Sequence, residues 1–198
     1  MFDIPWAHRF LFLIVLMALV ASVDYFNNSR DLWKSREYLF LLLASGLVAT
    51  FGALNDQLSC SLSPEYFQFG KGLGLGSGFR WRVAGLGAKA GFMGGFLVFG
   101  LFLIFAKSNR LQPIAFYTNL IKLLRYPFVY SVLFSLILGP TFAYLPPGLV
   151  PVVVSEGLTH LAASHFMSVW GWHIGLYLGG LIGTVHAILL IRRSTYSS

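Results

Sequence analysis

The residues best suited to chemistry in this chain are a few carboxylates, histidines and a tyrosine at the ends of long apolar stretches. A carboxylate beside an imidazole can share a proton or bind a divalent metal ion. These residue types predict a polar site at the outer side of a membrane. The candidate members are Asp56, Glu65, Tyr66, Glu156, His160 and His173.

A metal site is one interpretation of the stretch before the last apolar segment. Glu156 and His160 are four residues apart and would share a helix face. His165 is a weaker third ligand, because its spacing of five residues from His160 turns the two rings to nearly opposite faces. No metalloprotease signature accompanies them. The alternative is that these side chains lie in water or cap short helices, so the metal stays unknown.

Histidines inside the last apolar stretch are functional candidates by default, because ionisable residues are costly within a membrane. His173 and His186 are thirteen residues apart, or about 20 Å along a helix. This spacing would suit two haems, but the other long stretches offer no histidine as a second ligand, and no cofactor is favoured. We expect Asp56, Glu65 and His173 to be neighbours, with the imidazole or Lys89 as the companion of the carboxylates.

The elements that must position these residues are membrane-spanning helices. The 198 residues are 57% hydrophobic and 11% charged, with a mean hydropathy of +0.72. A helix needs about 20 mostly apolar residues to cross the hydrocarbon layer. The sequence predicts an all-α membrane protein, with residues 1–198 forming one bundle of about five helices. The stretches are roughly 6–24, 38–56, 84–106, 126–145 and 166–191.

The first stretch has a second interpretation, because Val20-Ala21-Ser22 resembles a signal-peptide cleavage site. Whether residues 1–22 are cleaved stays open. The net charge of +7 comes from basic residues scattered at the ends of apolar stretches, which argues against nucleic acid as a partner. With five helices, nine basic residues lie on one side and five on the other. The positive-inside rule then predicts a cytoplasmic C-terminus and an external N-terminus.

Two connecting segments differ in composition from the helices. Residues 57–83 are first polar and then rich in glycine, and Ser63-Pro64-Glu65 has the order of a helix N-terminus. Residues 139–151 contain four prolines and cannot form a continuous helix. We expect the outer segments, 57–83 and 146–165, to fold together over the helix ends.

Two rows of glycine at four-residue spacing predict close helix packing, because small residues let membrane helices approach each other. The simplest interpretation is that the third and fifth helices pack together through these rows. The alternative is a homo-oligomer or a larger membrane complex. The rows are Gly87, Gly91 and Gly95 in the third helix and Gly171, Gly175, Gly179 and Gly183 in the fifth.

Two blocks of sequence resemble a group of bacterial polytopic membrane proteins with no known activity. The first block is Asp56-Gln57 followed by Ser63-Pro-Glu-Tyr-Phe67, and the second is Trp172-His-Ile-Gly-Leu-Tyr-Leu-Gly-Gly180. The resemblance covers about 30 residues. It implies an inner-membrane location and a shared site that contains Asp56, Glu65, Tyr66 and His173, and it implies no activity.

Three functional hypotheses follow from these observations. The first is a non-enzymatic subunit, assembly factor or partner-docking protein, which the glycine rows and the lack of a catalytic signature favour. The second is a small channel or carrier with a polar path lined by the outer carboxylates and His173. The third is a metal- or cofactor-dependent membrane enzyme. A polar cavity would favour the second hypothesis, and an apolar groove would favour the first.

Overall fold

A computed structural model describes residues 6–27, 33–106, 113–146 and 156–196. The prediction of an all-α membrane protein is confirmed, and no strand occurs in these ranges. The elements are α1 (Trp6–Asn27), α2 (Trp33–Leu62), a π-helical turn (Tyr66–Gly70), α3 (Phe79–Phe105), α4 (Ile114–Lys122), α5 (Arg125–Ala143) and α6 (His160–Tyr196).

Four helical segments in the described ranges are long and apolar enough to cross a membrane. They are α2, α3, the combined α4–α5 segment Ile114–Ala143, and His160–Arg193 of α6. Their outward faces carry large apolar side chains such as Ile104, Leu133 and Ile137, which suits contact with lipid. The predicted first span lies in α1, and the segment Val15–Asn27 of this helix is apolar.

The helices exceed the predicted stretches at several ends, because polar residues at the membrane surface continue the helical backbone. Helix α2 runs to Leu62, six residues past its predicted end, and α6 begins at His160. Helix α5 continues through Pro140 to Ala143, so the segment 139–151 is helical in its first part. Residues 147–155 lie outside the described ranges.

Each glycine row packs against a helix other than the predicted one. Gly87, Gly91 and Gly95 face α2, where a Cβ on Gly95 would lie 2.8 Å from Ser45 Cα. The row from Gly171 to Gly183 faces α5, where a Cβ on Gly183 would lie 2.6 Å from Pro127 Cα. The prediction that the two rows face each other is therefore wrong. A row of glycines indicates that another helix approaches closely, but it does not indicate which helix. Here each row packs against the membrane helix that precedes it in the chain.

Two helix pairs, α2–α3 and α5–α6, thus form the bundle, and apolar clusters join them at both ends. One cluster contains Leu41, Phe102, Leu124 and Ile191, with Met17 of α1. The other consists of Cys60, Tyr66, Phe67, Val83, Ala163, Phe166 and Val169. The second cluster packs the turn after α2 against the start of α6, and Leu158 lies against it.

Candidate functional site

A carboxylate and an imidazole meet where the two helix pairs touch, near the second cluster. Asp56 lies near the end of α2, and His173 lies in the first half of α6. His173 Nε2 is 3.1 Å from Asp56 Oδ1, and the two residues are only 5% and 6% exposed. We call these two residues the dyad. A polar group buried to this degree requires a hydrogen-bond partner, and each of these two side chains is the partner of the other.

Both contacts of the His173 ring are satisfied as hydrogen bonds when the dyad holds one proton between its two side chains. His173 Nδ1 lies 2.8 Å from the Val169 carbonyl oxygen, which can only accept, so Nδ1 carries a hydrogen. The contact between Nε2 and Asp56 Oδ1 then requires a second hydrogen, on either the imidazole or the carboxyl group. In both arrangements the dyad as a whole is neutral.

Neighbouring polar groups fix the orientation of Asp56. Trp172 Nε1 donates to Asn55 Oδ1 at 2.8 Å, which turns the amide nitrogen of Asn55 toward Asp56 Oδ1 at 3.4 Å. Helix α3 closes the other side, because a Cβ on Gly87 would lie 2.8 Å from Asp56 Cγ. The glycine at position 87 is thus needed both for helix packing and for room around the carboxylate.

The π-helical turn after α2 covers the imidazole with aromatic rings. The Tyr66 ring stacks on His173 with centroids 4.9 Å apart, and Phe67 meets the same ring edge-on at 5.9 Å. The turn is held by its N-terminal cap, since Ser63 Oγ accepts from the Tyr66 N–H at 3.3 Å, as the Ser-Pro-Glu order predicts. Burial raises the pKa of the Tyr66 hydroxyl, with smaller contributions from Tyr177 and Asp56, so the phenol stays neutral.

A cleft of about 410 Å³ opens beside the dyad, between the two helix pairs. Its polar end is formed by Asn55, Lys71, Tyr177 and the dyad. Below this end the lining is mainly apolar and comes from α2, α3, α5 and α6. The α3 side is a helical stripe of small and apolar residues, namely Leu86, Ala90, Gly94, Leu97 and Leu101.

A second cavity of about 310 Å³ lies beside the same contact between α2 and α6. It is lined by α2, α5 and α6, and Asn55 and Trp172 border it. The two helix pairs therefore meet along a line of contact that has a cavity on each of two faces. This line consists of Asn55, the dyad, Trp172 and the Phe51–Phe128 ring pair. We call this line the seam.

The structure brings together three of the predicted site residues, Asp56, Tyr66 and His173. Glu65 is adjacent in sequence, but its Oε2 accepts from Ser63 Oγ at 3.0 Å, and Glu65 does not line the cleft. Asp56 takes His173, and not Lys89, as its companion across the bundle.

The remaining predicted residues lie apart from the dyad. Glu156 and His160 are exposed, and His165 is half-buried. In the described ranges no three His, Cys, Asp or Glu residues are grouped so that they could hold a metal ion. His186 makes a separate contact, 3.2 Å from the Tyr130 hydroxyl.

Sequence reasoning missed Asn55, Lys71 and Trp172 as parts of the site. Asn55 and Trp172 each precede a dyad residue in the chain, so polar side chains beside Asp56 and His173 were a usable signal. Lys71 offered no such signal, because its position depends on the π-helical turn. Compared with known protein families, with curated proteins and with solved structures, the chain has no match in any of the three, and the family resemblance stays a prediction.

Proposed function

We propose that this protein is a non-enzymatic membrane protein that binds a single-chain amphipathic molecule in the cleft. The observation that carries the proposal is one cavity with an apolar lower part and a polar end built from the dyad, Asn55 and Lys71. An apolar tail would replace lipid or void in the lower part, and a polar head would meet hydrogen-bonding groups at the upper end.

The dimensions of the cleft favour a chain-like ligand over a partner helix. Its α6 wall runs from His173 to Thr184, which is about 16 Å of helix. The volume of about 410 Å³ then corresponds to a mean cross-section of about 25 Å². A single turn of helix about 10 Å wide would already occupy on the order of 400 Å³. One extended hydrocarbon chain suits a cleft of this length and mean cross-section.

The lining of the cleft also favours binding over conduction of a small polar solute. Of the four residues expected to line a polar path, Asp56 and His173 border the cleft, whereas Glu65 and Glu156 do not. Below the dyad, Ser131 donates to the Leu176 carbonyl across to α6, and Thr184 donates to the Gly180 carbonyl in its own helix, so both hydroxyls are engaged by backbone oxygens. An ion or sugar would find few partners along this wall.

For the membrane itself, we propose the bacterial inner membrane, with the C-terminus in the cytoplasm and the polar end of the cleft outside. The division of basic residues, nine to five, supports this orientation. Cysteines introduced at exposed Ser77 and exposed Asn119 would report it, because native Cys60 is fully buried. We expect Ser77→Cys to react with an impermeant thiol reagent in intact cells and Asn119→Cys to resist; the reverse pattern would overturn the orientation.

The binding proposal is tested by filling the cleft. Gly94 lines the cleft, and a Cβ there would meet nothing within 4 Å, so Gly94→Phe places a ring in the cavity without displacing a helix. Gly100→Phe is the matched control, since Gly100 is equally open on the same helix but does not line the cleft. The probe is tritium-labelled hexadecylphosphocholine, measured by scintillation proximity on purified protein in detergent.

We expect saturable binding of about one probe per chain to the parent and to Gly100→Phe, and loss of that binding in Gly94→Phe. Equal binding to the two variants would place the probe on the outer surface and overturn the proposal. A parent protein with no saturable binding would overturn it as well. Thermal unfolding of both variants verifies that the bundle remains intact.

A further inference from the structure

We infer that the cleft selects an acidic amphiphile, whose anionic head group pairs with Lys71. This inference rests on the proposed function and adds the chemical class of the ligand. Lys71 follows the π-helical turn directly, and its N–H donates to the Tyr66 carbonyl at 3.1 Å. Its side chain lines the polar end of the cleft, together with Asp56 and His173.

The charges around the polar end leave one positive charge without compensation. The titratable residues of the cleft lining are Asp56, Lys71, His173 and Tyr177. With the shared proton that satisfies both contacts of His173, the dyad is neutral, and a tyrosine hydroxyl is neutral near pH 7. Tyr66, which covers the dyad, keeps its proton as well. The net charge of the cleft lining is therefore that of the Lys71 ammonium group.

The Lys71 ammonium group has no carboxylate partner in the described part of the chain. Its recorded contact is with the face of the Tyr66 ring, where Nζ lies 5.3 Å from the centroid. Glu65, the nearest carboxylate in sequence, is engaged with Ser63. The other basic side chains at this end bind elsewhere, since Arg80 donates to the Gln57 carbonyl and Arg82 to those of Ser77 and Gly74. An anion at the mouth of the cleft would thus complete the coordination of Lys71.

The geometry places this cation where the head of a bound amphiphile would lie. Lys71 follows the turn after α2, and the apolar wall below the dyad includes Ala90 of α3 and Leu176 of α6. A carboxylate or a phosphate would satisfy the same ammonium group, so a free fatty acid and a phosphate-bearing lipid share the required chemistry. A cationic head would meet repulsion from Lys71.

The experiment compares ligands that share one chain and differ in the head group. Hexadecanoate, hexadecyl phosphate and uncharged hexadecanol compete with labelled hexadecylphosphocholine for the parent protein. We expect at least one acid to compete about fivefold better than the alcohol, which is the upper range for one partly exposed ion pair. The better of the two acids identifies the source as a fatty acid or a phosphate-bearing lipid.

Variants of Lys71 assign the preference to this residue. Lys71→Gln should remove the advantage of the acids, Lys71→Arg should retain it, and Lys89→Gln, an exposed change outside the cleft lining, should leave it intact. The inference is overturned if the parent shows no preference for either acid, or if Lys71→Gln keeps the preference. In both cases, continued saturable binding of the labelled probe would leave the proposed function standing, whereas its absence would remove both.

Discussion

The backbone contacts within each helix pair differ from the contacts along the seam between the pairs. Inside α2–α3 and α5–α6, glycines let backbones touch, and a Cβ at most of these glycines would collide with main-chain atoms. Between the pairs, polar side chains meet along the seam, and cavities lie beside them. The difference shows that the helices pack closely within each pair, whereas cavities lie beside the seam between the pairs.

The largest expected effect comes from breaking the polar part of the seam. His173→Ala would leave the Asp56 carboxylate buried without its partner, and removal of one member of a buried pair costs about 3–5 kcal/mol. His186→Ala is the control, because His186 lies on the same helix and makes one hydrogen bond to Tyr130. Thermal unfolding in detergent measures both. Equal destabilisation by the two changes would show that the dyad contributes no more to the free energy of unfolding than the His186–Tyr130 hydrogen bond.

A smaller loss is expected when a side chain is inserted into the tight interface of a pair. Gly91→Ala places a Cβ 2.9 Å from Ala49 Cα and against the Val48 carbonyl, and overpacking of this kind costs about 1–3 kcal/mol. Gly94→Ala, on the same helix with nothing within 4 Å, should be neutral or slightly stabilising because alanine favours helix. If both variants have the same melting temperature as the parent, the backbones of α2 and α3 are not in close contact at Gly91.

The smallest effect is expected at the edge of the seam. Asn55→Ala removes the acceptor of the Trp172 indole and a weak donor to Asp56, and interhelical hydrogen bonds in membranes contribute about 0.6–1.7 kcal/mol. Combining Asn55→Ala with Trp172→Phe should cost little more than either change alone, since both remove the same bond. Fully additive losses in melting temperature would contradict this coupling.

The membrane class and the helices followed from the sequence because apolar length alone decides them. The pairing of helices did not, since a row of glycines such as Gly87, Gly91 and Gly95 is compatible with any close backbone. Asp56 and His173 were expected to be neighbours because a buried carboxylate needs a companion. The cleft and the position of Lys71 could not be predicted, because both depend on the relative orientation of the two helix pairs. The alternative of a homo-oligomer stays a hypothesis.

The position at which a bound hydrocarbon chain touches the protein decides whether the cleft binds an amphiphile. Hexadecanoate with a diazirine near its methyl end can be activated in the parent protein and its adducts mapped by peptide mass spectrometry. If the chain lies in the cleft, adducts should form on cleft residues such as Leu97, Leu101 and Leu181, and they should be lost in Gly94→Phe. Adducts confined to outward residues such as Ile104, Leu133 and Ile137, and unchanged in Gly94→Phe, would contradict it.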